Sequence, residues 1–271
     1  MKPFRLGAVL LAATLVSVAC STTPTESTNK SALDQIIERG TIRVGVIVNW
    51  VPLGFNDPSG ELVGYEVDQA NALAKALGVK LEMVPTTAAD RIPNLLTNKI
   101  DVMIGLFTPT LERSKSVAFT QPFIIDALVV GVPADSSIQS ISDLAGKTVA
   151  VTKGTTEADQ ILQIQPAAKP IQFDDTDTSV LAVKQGQADA VFESQLFMMA
   201  KATTDTGLNL RFLSGVAFKE NEAWGLRRGD PEWKAYLNEF LYLQLFDGTN
   251  DQLFDKWFKG KVPFPLPYSW Y

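Results

Sequence analysis

The stretch from residue 100 to 123, IDVMIGLFTPTLERSKSVAFTQPF, constrains this chain more than any other. Its first eight residues are apolar save for Asp101 and Gly105, which predicts a strand buried on both faces. The run turns polar at Thr108-Pro109-Thr110. Thr108 reads as an N-cap and Pro109 as the first residue of a short helix, where its missing N–H costs nothing. Free N–H groups, two hydroxyls and the guanidinium of Arg113 would then converge where open α/β sheets bind ligands. An arginine suits such a site because its planar fork holds a carboxylate by two parallel hydrogen bonds. The plainer reading of Arg113 is a solvated helix residue.

Around this stretch short strands alternate with short helices. Ser31 and Asp34 read as a capping box for the helix LDQIIER, which Gly40 ends, and TIRVGVIV (41–48) as the next strand. NWVPLGFNDPSGELVG reads as a loop turning at residues 56–60. Val67, Ala70, Leu73, Ala74 and Leu77 recur at helical spacing up to Gly78. KLEMVPTT is a strand, and in ADRIPNLLTNK the residues Ile92, Leu95 and Leu96 share a helical face. After Phe123 the pattern restarts. Strands fall in ALVVGVP, TVAVTKGTT, PIQFDD, ADAVFES, LRFLS and AWGLRRGD, with helices in EADQILQI, TSVLAVKQGQ and SQLFMMAKA. Two further helices, DPEWKAYLNEFLYLQLFDG and NDQLFDKWFKG, precede a proline-rich tail over 262–271 that is expected to pack across the first lobe. The alternation predicts an α/β fold with mainly parallel sheets. Two like series, each with a polar turn after a buried strand, predict two lobes.

Composition removes several functions. A net charge of −6 over 271 residues argues against a nucleic-acid partner, which needs a basic face. There is no histidine, and Cys20 is the single cysteine. That excludes a His-based triad, His-ligated zinc, a cysteine metal cluster and a disulfide within the chain. Cys20 takes its meaning from its position. Lys2 and Arg5, the apolar run 6–16 and Ser17-Val18-Ala19 form an export leader too short to span a bilayer. Ending at a lone cysteine, residues 1–19 resemble a bacterial lipoprotein signal, with Cys20 lipidated as the mature N-terminus. Ser17 stands where such signals usually carry Leu, and a plain periplasmic leader is the other reading. Residues 20–30, rich in Ser and Thr, read as a disordered tether. Beyond the leader no run is long enough to cross a membrane.

Residues 149–156, VAVTKGTT, repeat the logic of the opening stretch. Gly154 lets backbone approach a ligand, and Thr155 and Thr156 open a helix. The order is not that of a Walker loop, GxxxxGK[ST], so nucleotide binding is not expected and no cofactor is implied.

Taken together, the blocks resemble a known family: the family-3 solute-binding proteins of bacterial ABC importers for polar amino acids. RVGVIVNWVPLGF, GELVGYEVDQANALAKALGVKLEMVPTT, RIPNLLTNKIDVMIG, LERSKSVAFTQPF, DLAGKTVAVTKGTT, GQADAVFES and WGLRRGDPEW occur in family order. The resemblance implies a two-lobed periplasmic-binding-protein fold of type II. Lobe I would be 31–125 plus 220–271, lobe II 126–219, with crossings near Asp126-Ala127-Leu128 and 216–221. It implies a monomeric, non-enzymatic protein outside the cytoplasm, held to the membrane only by its lipid anchor. It would capture a small polar or acidic amino acid and pass it to an ABC permease.

By the same resemblance Arg113 clamps the ligand α-carboxylate, with Thr108 and Thr110 beside it. Thr155 and Thr156 form the turn by which lobe II reaches that carboxylate, and Trp50 covers the ligand from lobe I. A buried structural tryptophan is the alternative for Trp50. The family usually has Asp for the ligand ammonium; here Ser194 holds that position and Glu193 precedes it. Either Glu193 substitutes or the ligand lacks a standard ammonium, since an unpaired buried charge is very costly. A further family Asp is absent near Ile47, and Ala88 replaces a covering aromatic, which implies a roomier pocket. Arg91 resembles the extra arginine of acidic-amino-acid binders; a surface Arg91 paired with Asp90 is the alternative. Two other functions fit the scaffold. A cyclohexadienyl-dehydratase-like enzyme would need a general acid, for which Glu193 is the candidate. A sensor for a membrane signalling partner suits the tether equally well.

Overall fold

The apolar run is a strand in the computed structural model, which describes residues 30–205, 207–215, 217–264 and 266: Val102–Phe107 is buried at every position. Asp101, just ahead of it, is buried too, and is paired with the guanidinium groups of Arg39 at 2.5 Å and Arg43 at 2.7 Å. A carboxylate inside the fold is tolerated because it is paired. The leader, Cys20 and most of the tether lie outside the described residues, as do Val216, Pro265 and residues 267–271.

The strands are β1 (Thr41–Val46), β2 (Phe55–Asn56), β3 (Leu62–Val63), β4 (Lys80–Pro85), β5 (Val102–Phe107), β6 (Val117–Phe119), β7 (Ile124–Pro133), β8 (Thr148–Thr152), β9 (Lys169–Phe173), β10 (Ala190–Ser194), β11 (Leu210–Phe212) and β12 (Phe218–Arg227). The helices are α1 (Ala32–Arg39), α2 (Tyr65–Leu77), α3 (Arg91–Leu96), α4 (Glu157–Ile164), α5 (Thr176–Lys184), α6 (Gln195–Thr204), α7 (Pro231–Phe246) and α8 (Thr249–Phe258). Their ends follow the sequence signals. Ser31 caps α1, Gly40 and Gly78 end α1 and α2 in the left-handed conformation, and Asp230 with Pro231 opens α7.

One strand path joins both halves in the order β4-β1-β5-β12-β7-β10-β8-β9, with β6 beside β12 and β11 beside β7. The outer pairs are parallel. Antiparallel pairs involve β7 or β12, apart from the β2–β3 hairpin. The sheets are therefore more mixed than expected, because the two crossing strands run against each other and against their neighbours. β7 and β12 pair antiparallel from Phe218 opposite Leu128 to Glu222 opposite Ile124. One apolar cluster runs from Ile36, Leu73 and Trp233 in the first half to Phe197 and Met198 in the second.

Four expectations fail locally. No helix follows Thr108-Pro109: the chain makes only a single 3-10 turn at Arg113–Lys115, so that strand end gains no array of free N–H groups. Thr110, not Thr108, accepts the Arg113 N–H at 3.1 Å. On α3 the buried face is Arg91, Asn94 and Leu95, while Leu96 is exposed. The loop after β1 contains the short β2–β3 hairpin.

Candidate functional site: a cleft between two halves

The halves meet around a cavity of about 230 Å³. The first half contributes Trp50, Ala88, Arg91, Leu106 and Thr108. The second contributes Thr152, Thr155, Thr156, Glu157, Glu193 and Ser194, and the crossing strands contribute Asp126, Glu220 and Glu222. Thr110 and Arg113 are not among its lining residues.

The first wall is built on Arg91, only 2% exposed. Its Nε donates to the Ala88 carbonyl at 3.0 Å, and its Nη1 to those of Gly105 and Leu106 at 3.1 and 2.9 Å. Its Nη2 crosses to the Gly154 carbonyl of the second half at 3.1 Å. Asp90 accepts the Thr87 hydroxyl instead, so the surface pair Asp90–Arg91 is not formed. Arg113 donates to the Thr108 carbonyl at 2.7 Å and to the same Gly154 carbonyl at 2.9 Å. Both guanidinium groups lie over the Phe107 ring, with Cζ 4.4 and 5.0 Å from its centroid. The negative ring face and the carbonyl oxygens offset the repulsion between two neighbouring cations. Behind them Glu66, fully buried, accepts the Leu106 N–H at 3.0 Å. Burial pushes Glu66 up to about 8. Burial, aided by Arg113, pushes Arg91 down to about 9, which leaves it charged at neutral pH.

Gly154 is what lets the walls approach. Its φ is +84°, and a Cβ there would fall 2.6 Å from Ala89 Cα and 2.7 Å from Ala89 N. Glycine alone fits both the conformation and the distance.

The second wall is acidic. Thr152, at the end of β8, donates its N–H to Glu157 at 2.8 Å and its hydroxyl to Glu193 at 2.9 Å. The other oxygen of Glu193 accepts the Ser194 N–H at 2.9 Å. Burial raises both carboxyls, and Glu157 also faces the charge of Glu193. The threonine hydroxyls are engaged: Thr155 donates to the Thr152 carbonyl at 2.7 Å and Thr156 to Glu220 at 2.6 Å. Ser194 caps α6 and donates to Asp126. Burial pushes Asp126 up to about 7. Glu222, which accepts the Thr108 hydroxyl at 3.3 Å, is raised by burial and by Glu220 and Asp126 beside it. Trp50 packs across the cleft on Phe197, with ring centroids 6.3 Å apart.

Seven of the nine expected ligand residues thus line one cavity: Trp50, Arg91, Thr108, Thr155, Thr156, Glu193 and Ser194. Arg113 joins them only through Gly154, and Thr110 only through the N–H of Arg113. Sequence reasoning missed Asp126, Glu157, Glu220 and Glu222. A signal existed for two of them: in FKENEA the carboxylates alternate with exposed Asn221, and the two-residue period of a strand sets both on one face. Among the described residues no group of three or more acidic, His or Cys side chains has the geometry to hold a metal ion.

Residues 42–260 match the family described as bacterial extracellular solute-binding proteins, family 3. The L-cystine-binding protein TcyJ of Escherichia coli (strain K12) is 30% identical over 268 residues, spanning 97% of this chain and 99% of that protein. The crystal structure of the ancestral amino acid-binding protein AncCDT-1, a precursor of cyclohexadienyl dehydratase, superposes with a TM-score of 0.77 at 36% identity. It covers 84% of this chain and 100% of its own. An ancestral arginine-binding protein bound to arginine gives a TM-score of 0.76 at 34% identity, over 81% of this chain and 99% of its own. The two halves joined by β7 and β12 are the two lobes of the type II periplasmic-binding-protein fold. With the cleft, the crossing strands and a match over most of its length, the chain belongs to the bacterial extracellular solute-binding proteins of family 3.

Proposed function

We propose that this protein works outside the cytoplasm as the solute-binding component of an ABC importer, closing on a small amino acid and delivering it to the permease. The observation that carries the reading is the cavity enclosed between lobes, with both arginines of the first lobe bonded to Gly154 of the second. A solute bridging both walls favours the closed over the open arrangement by its differential contacts, the basis of hinge closure. The relatives named for binding L-cystine and arginine support an amino-acid solute. Trp50, Arg91, Thr108, Thr155, Thr156, Glu193 and Ser194 contact it in this reading, with Arg113 and Thr110 fixing the rim. Lobe boundaries at residues 125–126 and 219–220, a monomeric state and lipidation at Cys20 complete it; Cys20→Ser would release the protein from the membrane fraction.

Titration calorimetry against the twenty amino acids and L-cystine tests the reading. Binding to at least one, with a change in tryptophan fluorescence as Trp50 moves against Phe197, is the expected result. No heat and no fluorescence change with any of them would overturn it. One observation favours an enzyme on the same scaffold: Glu193 is a buried carboxyl, raised by that burial, and it faces the cavity. Turnover of a cyclohexadienyl acid, lost in Glu193→Gln, would support that second reading.

A further inference from the structure

The cleft holds more acid than the single ammonium of a neutral amino acid can neutralise. Five buried carboxyl groups line it, and the two nearby guanidinium groups turn donors onto backbone carbonyls rather than toward them. All five accept hydrogen bonds from neighbouring groups. Asp126 accepts from the Ser194 hydroxyl and the N–H groups of Ala127 and Leu196; Glu220 accepts from Thr156 and Gln160; Glu222 accepts from Thr108.

Glu157 and Glu193 differ in sharing one donor residue: Thr152 gives its N–H to the first and its hydroxyl to the second. Both line the cavity floor of the second lobe around Thr152, and burial raises both carboxyls, so the pair retains a proton between them. The elements packed on them offer only neutral groups: Thr152 of β8, Thr155 of the turn, Thr176 and Ser179 of α5, and Ser194 closing β10. Asp174 and Asp175 ahead of α5 and Asp90 of the first lobe also line the cavity, as do Asp126, Glu220 and Glu222 from the crossing strands. The cations that act on Glu157 are Arg91 and Arg113 of the opposite lobe, both already bonded to Gly154. A second, independent feature points to a solute with an acceptor at its other end. Trp50, 8% exposed and lining the same cavity, has an indole N–H with no acceptor among the described groups.

Resting on the amino-acid reading, we infer that the solute is a basic amino acid whose side-chain guanidinium or ammonium docks on the Glu157–Glu193 pair and expels the proton the pair shares. The step balances: a carboxyl–carboxylate pair plus one cation becomes two carboxylates around that cation, and one proton passes to solvent. The first lobe supplies no carboxylate near Ile47, and its Asp90, which lines the cavity, accepts the Thr87 hydroxyl. Release of one proton makes affinity rise tenfold per pH unit until the free pair ionises by itself.

Calorimetry with L-arginine, L-lysine, L-glutamine and L-glutamate, in two buffers of different ionisation enthalpy, tests this on the unmodified protein. The expected result is that arginine or lysine binds at least tenfold tighter than glutamine, glutamate binds weakest, and close to one proton is released per basic solute. Glu157→Gln has no carboxyl proton to lose, so proton release and the arginine-to-glutamine affinity ratio both fall. Tighter binding of glutamine or glutamate, or binding of arginine without proton release, overturns the inference while leaving amino-acid binding intact. Silence from all twenty amino acids and L-cystine removes both. Because the buffer comparison uses the unmodified protein, the inference stays testable even if the variant fails to fold.

Discussion

The turn after β5 and the turn after β8 look alike in sequence, each a buried strand running into a proline or glycine followed by threonine, yet they do opposite work. The first makes a single 3-10 turn and aims Arg113 at Gly154. The second runs directly into α4 and buries Glu157 in the cleft. One wall therefore presents cations committed to backbone, the other carboxyls with one proton between two of them. The lesson is that a strand-to-helix turn does not by itself select an anion. The side chain that follows the turn, and what already occupies its donors, decides the sign.

The largest way to break the contrast is to remove the first wall's buried cation. Arg91→Leu takes away donors to the carbonyls of Ala88, Gly105, Leu106 and Gly154, and leaves Glu66 without its nearest positive charge. Removing one member of a buried charged network costs about 3–5 kcal/mol. Urea unfolding of the ligand-free protein should show that loss in the midpoint. An Arg91→Leu midpoint equal to wild type would mean that these carbonyls are satisfied without it.

Arg91 also marks where the sequence stopped being legible. The buried strand at 102–107, the caps of α1 and α7 and the two-lobed fold were readable because each rests on a legible signal: a continuous apolar run, a capping residue, a family block. α3 has six residues, too few for hydrophobic periodicity to fix which face turns inward, and the inward face carries an arginine and an asparagine. The β2–β3 hairpin was missed because two-residue strands leave no alternation to detect. Glu157 was overlooked because an acidic residue in the first turn of a helix is ordinarily explained by the helix dipole alone. Its burial depends on β8 and β10 lying side by side, which is long-range information.

A smaller effect separates closure from stability. Gly154→Ala would set a Cβ within 3 Å of Ala89 backbone at a φ of +84°, so the closed arrangement is disfavoured while the open one is spared. A loss of about 2–3 kcal/mol in closure lowers solute affinity roughly 30- to 150-fold. Gly78→Ala is the matched comparison: its φ is +67° but nothing lies within 4 Å of the new Cβ. It should cost about 1 kcal/mol of stability and leave affinity alone. Calorimetry and small-angle scattering distinguish the two, and equal affinities for both variants would show that the close approach at Gly154 is not needed for closure.

The two walls should also differ in their response to pH. Burial raises Asp126 from 3.8 to about 7 and Glu66 from 4.5 to about 8. A carboxyl raised in the folded state binds its proton more tightly there than in the unfolded chain. The stability from this is fully present below about pH 4 and is lost as pH rises through 7 and 8. Ligand-free protein should therefore lose stability between pH 4 and 8, with a slope of up to about 1.4 kcal/mol per pH unit for each group. Glu66→Gln keeps an acceptor for the Leu106 N–H and should flatten the first-wall share of that slope, most clearly between pH 5 and 8. Urea midpoints across the range measure it; parallel profiles for wild type and variant would mean that Glu66 does not titrate with folding.

The smallest effect falls on the turn that failed to become a helix. Thr110 accepts the Arg113 N–H and lies off the cavity, whereas Thr155, its counterpart after β8, lines the cavity and donates to the Thr152 carbonyl. A hydroxyl that caps one N–H of a single turn contributes about 0.5–1 kcal/mol, at the low end of capping effects. Thr110→Ala should lower the unfolding midpoint by that amount and change solute affinity by less than Thr155→Ala does. The reverse order of affinities would mean that the first turn reaches the solute through Arg113 in spite of its place at the rim, and that the cation committed to Gly154 in the ligand-free arrangement is released to the ligand on binding.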